Sequence, residues 1–212
     1  MDMSASFQFV VDHLQGDWHV IANDWRGFGL SERSHSDTYW FPDYVADLDA
    51  LLAHYSPDAP VNLLGHSMGG NVVSMYAGVR PERVKKLINL EGIGLVGAKP
   101  EQAPKRMAKW LDELRTPPVM RAYASLDEVA ARLQKTNPRL PTERAAFLAE
   151  HWSARNDAGE YEILGDPAHK MPGPLLYHLD EVIAMWKRIS APVLWIEAAQ
   201  TEMWRWMGLQ EE

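Results

Sequence analysis

The chain has 212 residues, 46% hydrophobic and 24% charged, an ordinary globular composition with enough apolar material for one sizeable core. Its 21 Lys and Arg against 29 Asp and Glu give a formal charge of −8, which argues against nucleic acid, a polyanion, as a partner. Cysteine is absent, excluding disulfide scaffolds, thiolate zinc sites and thiol catalysis. No apolar run approaches a membrane span, and Met1-Asp2-Met3-Ser4 carries an acid where a signal peptide would carry Lys or Arg; a cytoplasmic protein is expected.

In chain order, residues 1–14 read as a helix with Phe7, Val10, Val11 and Leu14 on one face. Trp18 to Ala22 is a short apolar run ending in Asn23-Asp24 and the turn Arg26-Gly27-Phe28-Gly29, the pattern of a buried strand feeding a loop. Pro42 suits a first helical turn, and Val45, Leu48, Leu51, Leu52 and Tyr55 follow at spacings of three and four. Val61 to Gly65 reads as a strand, Ser67 to Gly78 as a helix and Val84 to Leu90 as another strand, so the order βαβαβ predicts a parallel sheet. Beyond Gly92 the texture changes. Helical patterns at Lys105 to Arg115, Leu126 to Lys135, Thr142 to Ser153 and Leu179 to Ile189 show no strand among them, which predicts a helical cap insertion over 97–189. A buried strand at Ala191 to Ile196 then resumes the alternation, and Glu202 to Leu209 reads as a further helix. The predicted core is therefore 1–96 with 190–212.

The chemistry is concentrated in Gly65-His66-Ser67-Met68-Gly69, a G-x-S-x-G pattern at a strand-to-helix junction. Glycines two residues before and after the serine let strand and helix pass closely, and the strained turn aims Oγ outward. The Met68 N–H then faces the space in front of Ser67, where the helix start adds positive potential suited to an oxyanion. Upstream stands Asp24-Trp25-Arg26-Gly27-Phe28-Gly29-Leu30-Ser31. Asp24 and Arg26 suit the holding of that tight turn better than catalysis. His66 is read as packing beside the elbow.

Together these residues resemble the α/β-hydrolase family, with its D-x-R-G-x-G-x-S turn after one strand and nucleophile elbow after the next. Arg80-Pro81-Glu82-Arg83-Val84 and Ala191 to Ile196 resemble, respectively, the family's link from nucleophile helix to next strand and the strand after its cap. The resemblance implies an α/β fold: a mostly parallel sheet flanked by helices, carrying a helical cap. It also implies hydrolysis of carboxylic esters or related acyl compounds through a serine acyl-enzyme, with Ser67 as nucleophile and Met68 as backbone oxyanion donor. A serine rather than an aspartate at this position points to attack on a carbonyl. The expected partner is a small acyl substrate, with no cofactor and no metal. Trp110, Trp152, Trp186, Met107, Met171 and Met185 in the cap segment suggest an apolar acyl group, if they do not simply pack the cap. Two other readings of the same scaffold are a non-catalytic small-ligand-binding protein and a carbon–carbon bond hydrolase.

Three parts of the family pattern are not met. No histidine follows His178, although the family's base follows its acid; His169, in Asp166-Pro167-Ala168-His169-Lys170, is the one singled out, with a solvated loop expected. The turn that supplies a second oxyanion N–H would precede residue 1. For the acid, Glu202 is the nearer match after the strand at Val193, with Glu91 at the end of Val84 to Leu90 as the alternative. The sequence therefore reads as lacking outer strands at both ends, with impaired turnover and a tendency to associate as the expectation.

Overall fold

The structure, a computed structural model, describes residues 2–34 and 37–201. In chain order its elements are α1 (Gln8–Val11), α2 (Phe41–Tyr55), β1 (Val61–His66), α3 (Met68–Val79), β2 (Val84–Leu90), α4 (Ala103–Arg115), β3 (Ala122–Tyr123), α5 (Leu126–Thr136), α6 (Thr142–Trp152), β4 (Ser153–Arg155), β5 (Tyr161–Ile163), α7 (Leu179–Trp186) and β6 (Val193–Ile196). By contact the chain divides into two compact units, 1–39 with 111–172 and 40–110 with 173–212. This partition differs from the core and cap segments drawn from sequence texture.

The unit formed by 40–110 and 173–212 is built on a parallel sheet in the order β1-β2-β6. The register aligns Leu63 with Leu87 and Val193, and Leu64 with Ile88 and Leu194. Because side chains alternate along a strand, Leu63 and Leu87 point to one face, where both are buried, and Leu64 and Leu194 to the other, where both are exposed. α3 packs against β1 and β2 on the buried face. Its Val72, Val73, Met75, Tyr76 and Ala77 are all buried, and α2 adds Tyr44, Leu48 and Leu52. The Tyr76 hydroxyl donates to Asp49 Oδ1 of α2 at 2.9 Å, which ties the two helices and satisfies an otherwise buried polar group. α3 also meets α7 at Gly78, where a Cβ would lie 2.0 Å from the Met185 carbonyl oxygen.

In the unit formed by 1–39 and 111–172, α5 and α6 pack together beside a small antiparallel sheet, β3-β5-β4. Tyr123, Val129 and Ala149 form its apolar centre, surrounded by Leu126, Leu133, Tyr161 and Ile163. α5 starts where the Ser125 hydroxyl accepts from Glu128 N at 3.2 Å, while Glu128 Oε2 accepts from Ala124 N. These bonds satisfy amides that the helix itself leaves unpaired. The Phe9 ring meets Phe147 of α6 edge to face at 5.2 Å.

Four sequence expectations need correction. Trp18 to Ala22 forms no strand and is not buried: Trp18, Val20 and Ile21 are exposed, since no described segment pairs with them. A strand needs a ladder partner whatever its propensity. β6 does form, but at the sheet edge, with all four side chains exposed rather than buried. The segment read as wholly helical contains β3, β4 and β5, each of only two or three residues and too short for alternation to register. The amino-terminal helix is reduced to a 3-10 turn at Ser4–Phe7 and the four residues of α1. The helix expected at 202–209 lies outside the described residues.

Candidate active site

Ser67 stands between β1 and α3 with φ 51° and ψ −115°, a left-handed backbone that a residue with a Cβ adopts only under constraint. The constraints are visible. Ser67 N donates to the Leu90 carbonyl at the end of β2, at 2.8 Å, and the Ser67 carbonyl accepts from Asn71 N at 3.1 Å. A Cβ at Gly65 would come within 2.4 Å of the Gly69 carbonyl oxygen, so no other residue lets β1 turn into α3 here. Met68 opens α3, and its N–H belongs to the first turn, where amides have no partner within the helix and the dipole is positive.

Behind the elbow is a polar clamp that the motif does not announce. Asn89 of β2 is fully buried; its Nδ2 donates to Ser74 Oγ at 2.8 Å and to the Gly92 carbonyl at 3.1 Å, and its Oδ1 accepts from Gly92 N at 2.7 Å. Asn71 Oδ1 accepts from Gly94 N at 2.7 Å. α3 and the loop after β2 are thereby bonded to each other, so the elbow and residues 91–94 are fixed together. The trace of this in the sequence is a pair of asparagines, Asn89 one residue before the end of β2 and Asn71 the fourth residue of α3.

Glu91, the alternative acid, directly follows β2 with φ 55°; its N–H donates to the Ile196 carbonyl and its Oε1 accepts from Ala198 N at 3.0 Å. It thus lies at the same end of the sheet as Ser67, one strand over. Glu202, the nearer sequence match, lies outside the described residues. His66 is exposed on the sheet face opposite Gly65.

In the other unit, the Asp24 carboxylate accepts from Ser4 N at 2.7 Å and Leu30 N at 2.9 Å, closing the turn around Gly27 and Gly29. That is the loop-holding arrangement its residue type suits. His169 is not in a solvated loop. Its ring is stacked between Phe28 and Tyr39, with centroids 3.8 and 3.9 Å away, and the Tyr39 hydroxyl donates to Asp166 Oδ2 at 2.9 Å. Burial lowers the His169 pKa to about 4 although Asp166 nearby pulls it upward, so the imidazole is neutral at pH 7. The packing that buries it comes from residues more than 120 positions away in the chain, which composition around 166–170 could not reveal.

A shallow apolar groove of about 270 Å³ runs along α2, α3 and α7, lined by Val45, Met75, Val79 and Met185, and includes none of the candidate site residues. Met185, read as a possible acyl wall, is spent there.

A family model described as alpha/beta hydrolase fold matches residues 1–119, more than half the chain, and takes in both the Asp24 turn and the elbow. The chain belongs to the alpha/beta hydrolase fold family. Its parallel sheet flanked by helices is that family's architecture. A serine hydrolase-like protein from Danio rerio is 27% identical over 200 residues, covering 91% of this chain and 60% of that protein. This chain therefore spans less than two thirds of that relative's length. A hypothetical protein from Pseudomonas aeruginosa PAO1 superimposes with a TM-score of 0.85 at 24% identity, over 95% of this chain and 72% of the other. A thioesterase domain from the curacin biosynthetic pathway gives 0.71 at 27% identity, over 82% and 63%. Among the described residues, no helix is long and apolar enough to cross a membrane.

Proposed function

We propose that this protein hydrolyses carboxylic esters or related acyl compounds through an acyl-enzyme on Ser67. The observation that carries the reading is the Ser67 backbone. A non-glycine residue at φ 51° costs on the order of 1–3 kcal/mol, and here the glycine packing and the bond to Leu90 hold it in place. Such a turn presents Oγ at the start of a helix. Attack of Oγ on the substrate carbonyl carbon forms the ester bond to Ser67 as the proton passes to a base; the carbonyl oxygen, now anionic, is held by Met68 N–H and the α3 dipole. The leaving alcohol, thiol or amine takes a proton, and water then releases the acid. The thioesterase domain, at 27% identity, acts on an acyl compound by its name, in keeping with this substrate class.

The test is reaction of the folded chain with a fluorophosphonate and mass-spectrometric mapping of the adduct. One adduct on Ser67, absent in Ser67→Ala, is expected; a folded chain that gives no adduct, or an adduct that survives the substitution, refutes the proposal. The acid is assigned by the same assay. Glu91→Gln and Glu202→Gln are compared, and the acid is the one whose neutralisation slows labelling by roughly tenfold or more, since it no longer orients and balances a protonated base.

A further inference from the structure

Among the described residues, Ser67 and Glu91 are the two non-glycine residues with left-handed backbones, at φ 51° and 55°. They occupy equivalent places. Ser67 directly follows β1, and its N–H donates to the Leu90 carbonyl of β2; Glu91 directly follows β2, and its N–H donates to the Ile196 carbonyl of β6. Strain of this kind lasts only where the surroundings over-determine it. The restraint lies in what touches the two turns, all of it within the unit formed by 40–110 and 173–212.

Ser67 is held from two sides, its N–H by β2 through Leu90 and its carbonyl by α3 through Asn71 N. Neither bond keeps the backbone left-handed unless β2 and α3 are themselves fixed to each other. Asn89 and Asn71 fix them. Asn89 Nδ2 donates to Ser74 Oγ, to the Gly92 carbonyl and, at 3.3 Å, to the Gly70 carbonyl in the first turn of α3. Its Oδ1 accepts from Gly92 N, so the side chain grips both backbone groups of Gly92 and closes residues 89–92 into a turn with Glu91 inside it. A Cβ at Gly92 would lie 2.6 Å from Gly70 Cα, so the backbones of this turn and of α3 meet directly. Asn71 adds the second tie, from α3 to Gly94 N. Both asparagines are buried, where an apolar side chain would fill the space without the cost of desolvating an amide. What the amides add is direction, and each bond they make fixes the turn against the helix.

We propose that Asn71 and Asn89 are positioning residues that brace the Ser67 turn in its left-handed form and hold the Glu91 turn in a fixed place beside it. Without them Ser67 relaxes toward an ordinary backbone, and Oγ swings away from the start of α3. The effect on reactivity rests on the acyl-enzyme reading; the brace does not, and the two are measured separately.

The brace is read from urea unfolding, with no reaction involved. A left-handed position favours glycine over alanine, so Ser67→Gly should have a higher midpoint than Ser67→Ala. When the same two substitutions are made in Asn71→Ala and in Asn89→Ala, the interval between their midpoints should shrink to roughly half or less, because an unbraced alanine leaves the strained region. Asn71→Asp keeps an acceptor for Gly94 N and should preserve the full interval. Side chains that merely pack would lower every midpoint and leave the interval unchanged; that result overturns the proposal, as does an interval lost equally in Asn71→Asp or missing from the outset. Should Asn89→Ala not fold, Ser74→Ala removes a single partner of the amide and is read in the same way. In parallel, fluorophosphonate labelling of Ser67 should slow roughly tenfold or more in Asn71→Ala, since small displacements of a reacting group cost that much. Labelling at an unchanged rate overturns the positioning role. A shrinking interval in a chain that never labels would instead refute the acyl-enzyme reading and leave the brace standing.

Discussion

Ser67 and His169 are both held in states their residue types avoid, one by backbone strain and the other by burial. For His169 the consequence is a pH dependence whose sign follows from the two titrations. The unfolded chain takes up the proton near pH 6.5, and the folded chain only near 4. Between those values the unfolded state binds more protons, so stability falls as the pH drops through the window and does not depend on His169 above it. His169→Phe keeps a ring between Phe28 and Tyr39 and removes the proton site. In thermal melts between pH 7 and 4, wild type should lose stability relative to this variant as the pH falls. A difference that stays constant across the window would show that His169 is not buried in its neutral form. Local composition could not foretell this, because Asp166, Lys170 and two prolines nearby read as solvated loop while the enclosing rings come from residues 28 and 39.

Among elements, the contact between α3 and α7 depends on one missing methyl group. Glycine within a helix usually costs about 1 kcal/mol relative to alanine, so Gly78→Ala would stabilise an open helix. Here the added Cβ would fall 2.0 Å from the Met185 carbonyl oxygen, and backbone cannot rotate away as a side chain can. Gly78→Ala is therefore expected to destabilise by about 1–3 kcal/mol in urea unfolding, as overpacking does. A variant as stable as wild type would mean that α7 does not pack on α3 at this distance. The long helices were legible in the sequence to within a few residues, since a 3.6-residue period over eleven or more positions is hard to produce by chance. The two- and three-residue strands of the small sheet left no such trace; they exist through their pairing.

For the sheet as a whole, the face turned away from α3 presents Leu64, Leu194 and Ile196, each more than a third exposed, and among the described residues no strand pairs with the outer edge of β6. Parallel sheets are ordinarily covered on both faces, and an exposed apolar row with unpaired backbone beside it favours association. Concentration-dependent self-association by light scattering is expected, reduced by Leu194→Lys. Scattering that shows a monomer at all concentrations would mean that this face is less accessible than its exposures indicate.

The residues 61–90 alone determined a strand, a sharp serine turn, a helix and a parallel partner strand, because each step is enforced locally by glycine, helical period or a short apolar run. Tertiary structure decided what depends on neighbours distant in sequence. Among the described residues it gave Trp18 to Ala22 no ladder partner and placed β6 at an edge, and it enclosed His169 and joined Asn89 and Asn71 into the clamp behind the elbow. It also covered the apolar side of α5 with α6 and the small sheet, because an amphipathic pattern specifies which side is apolar and only packing decides what meets it.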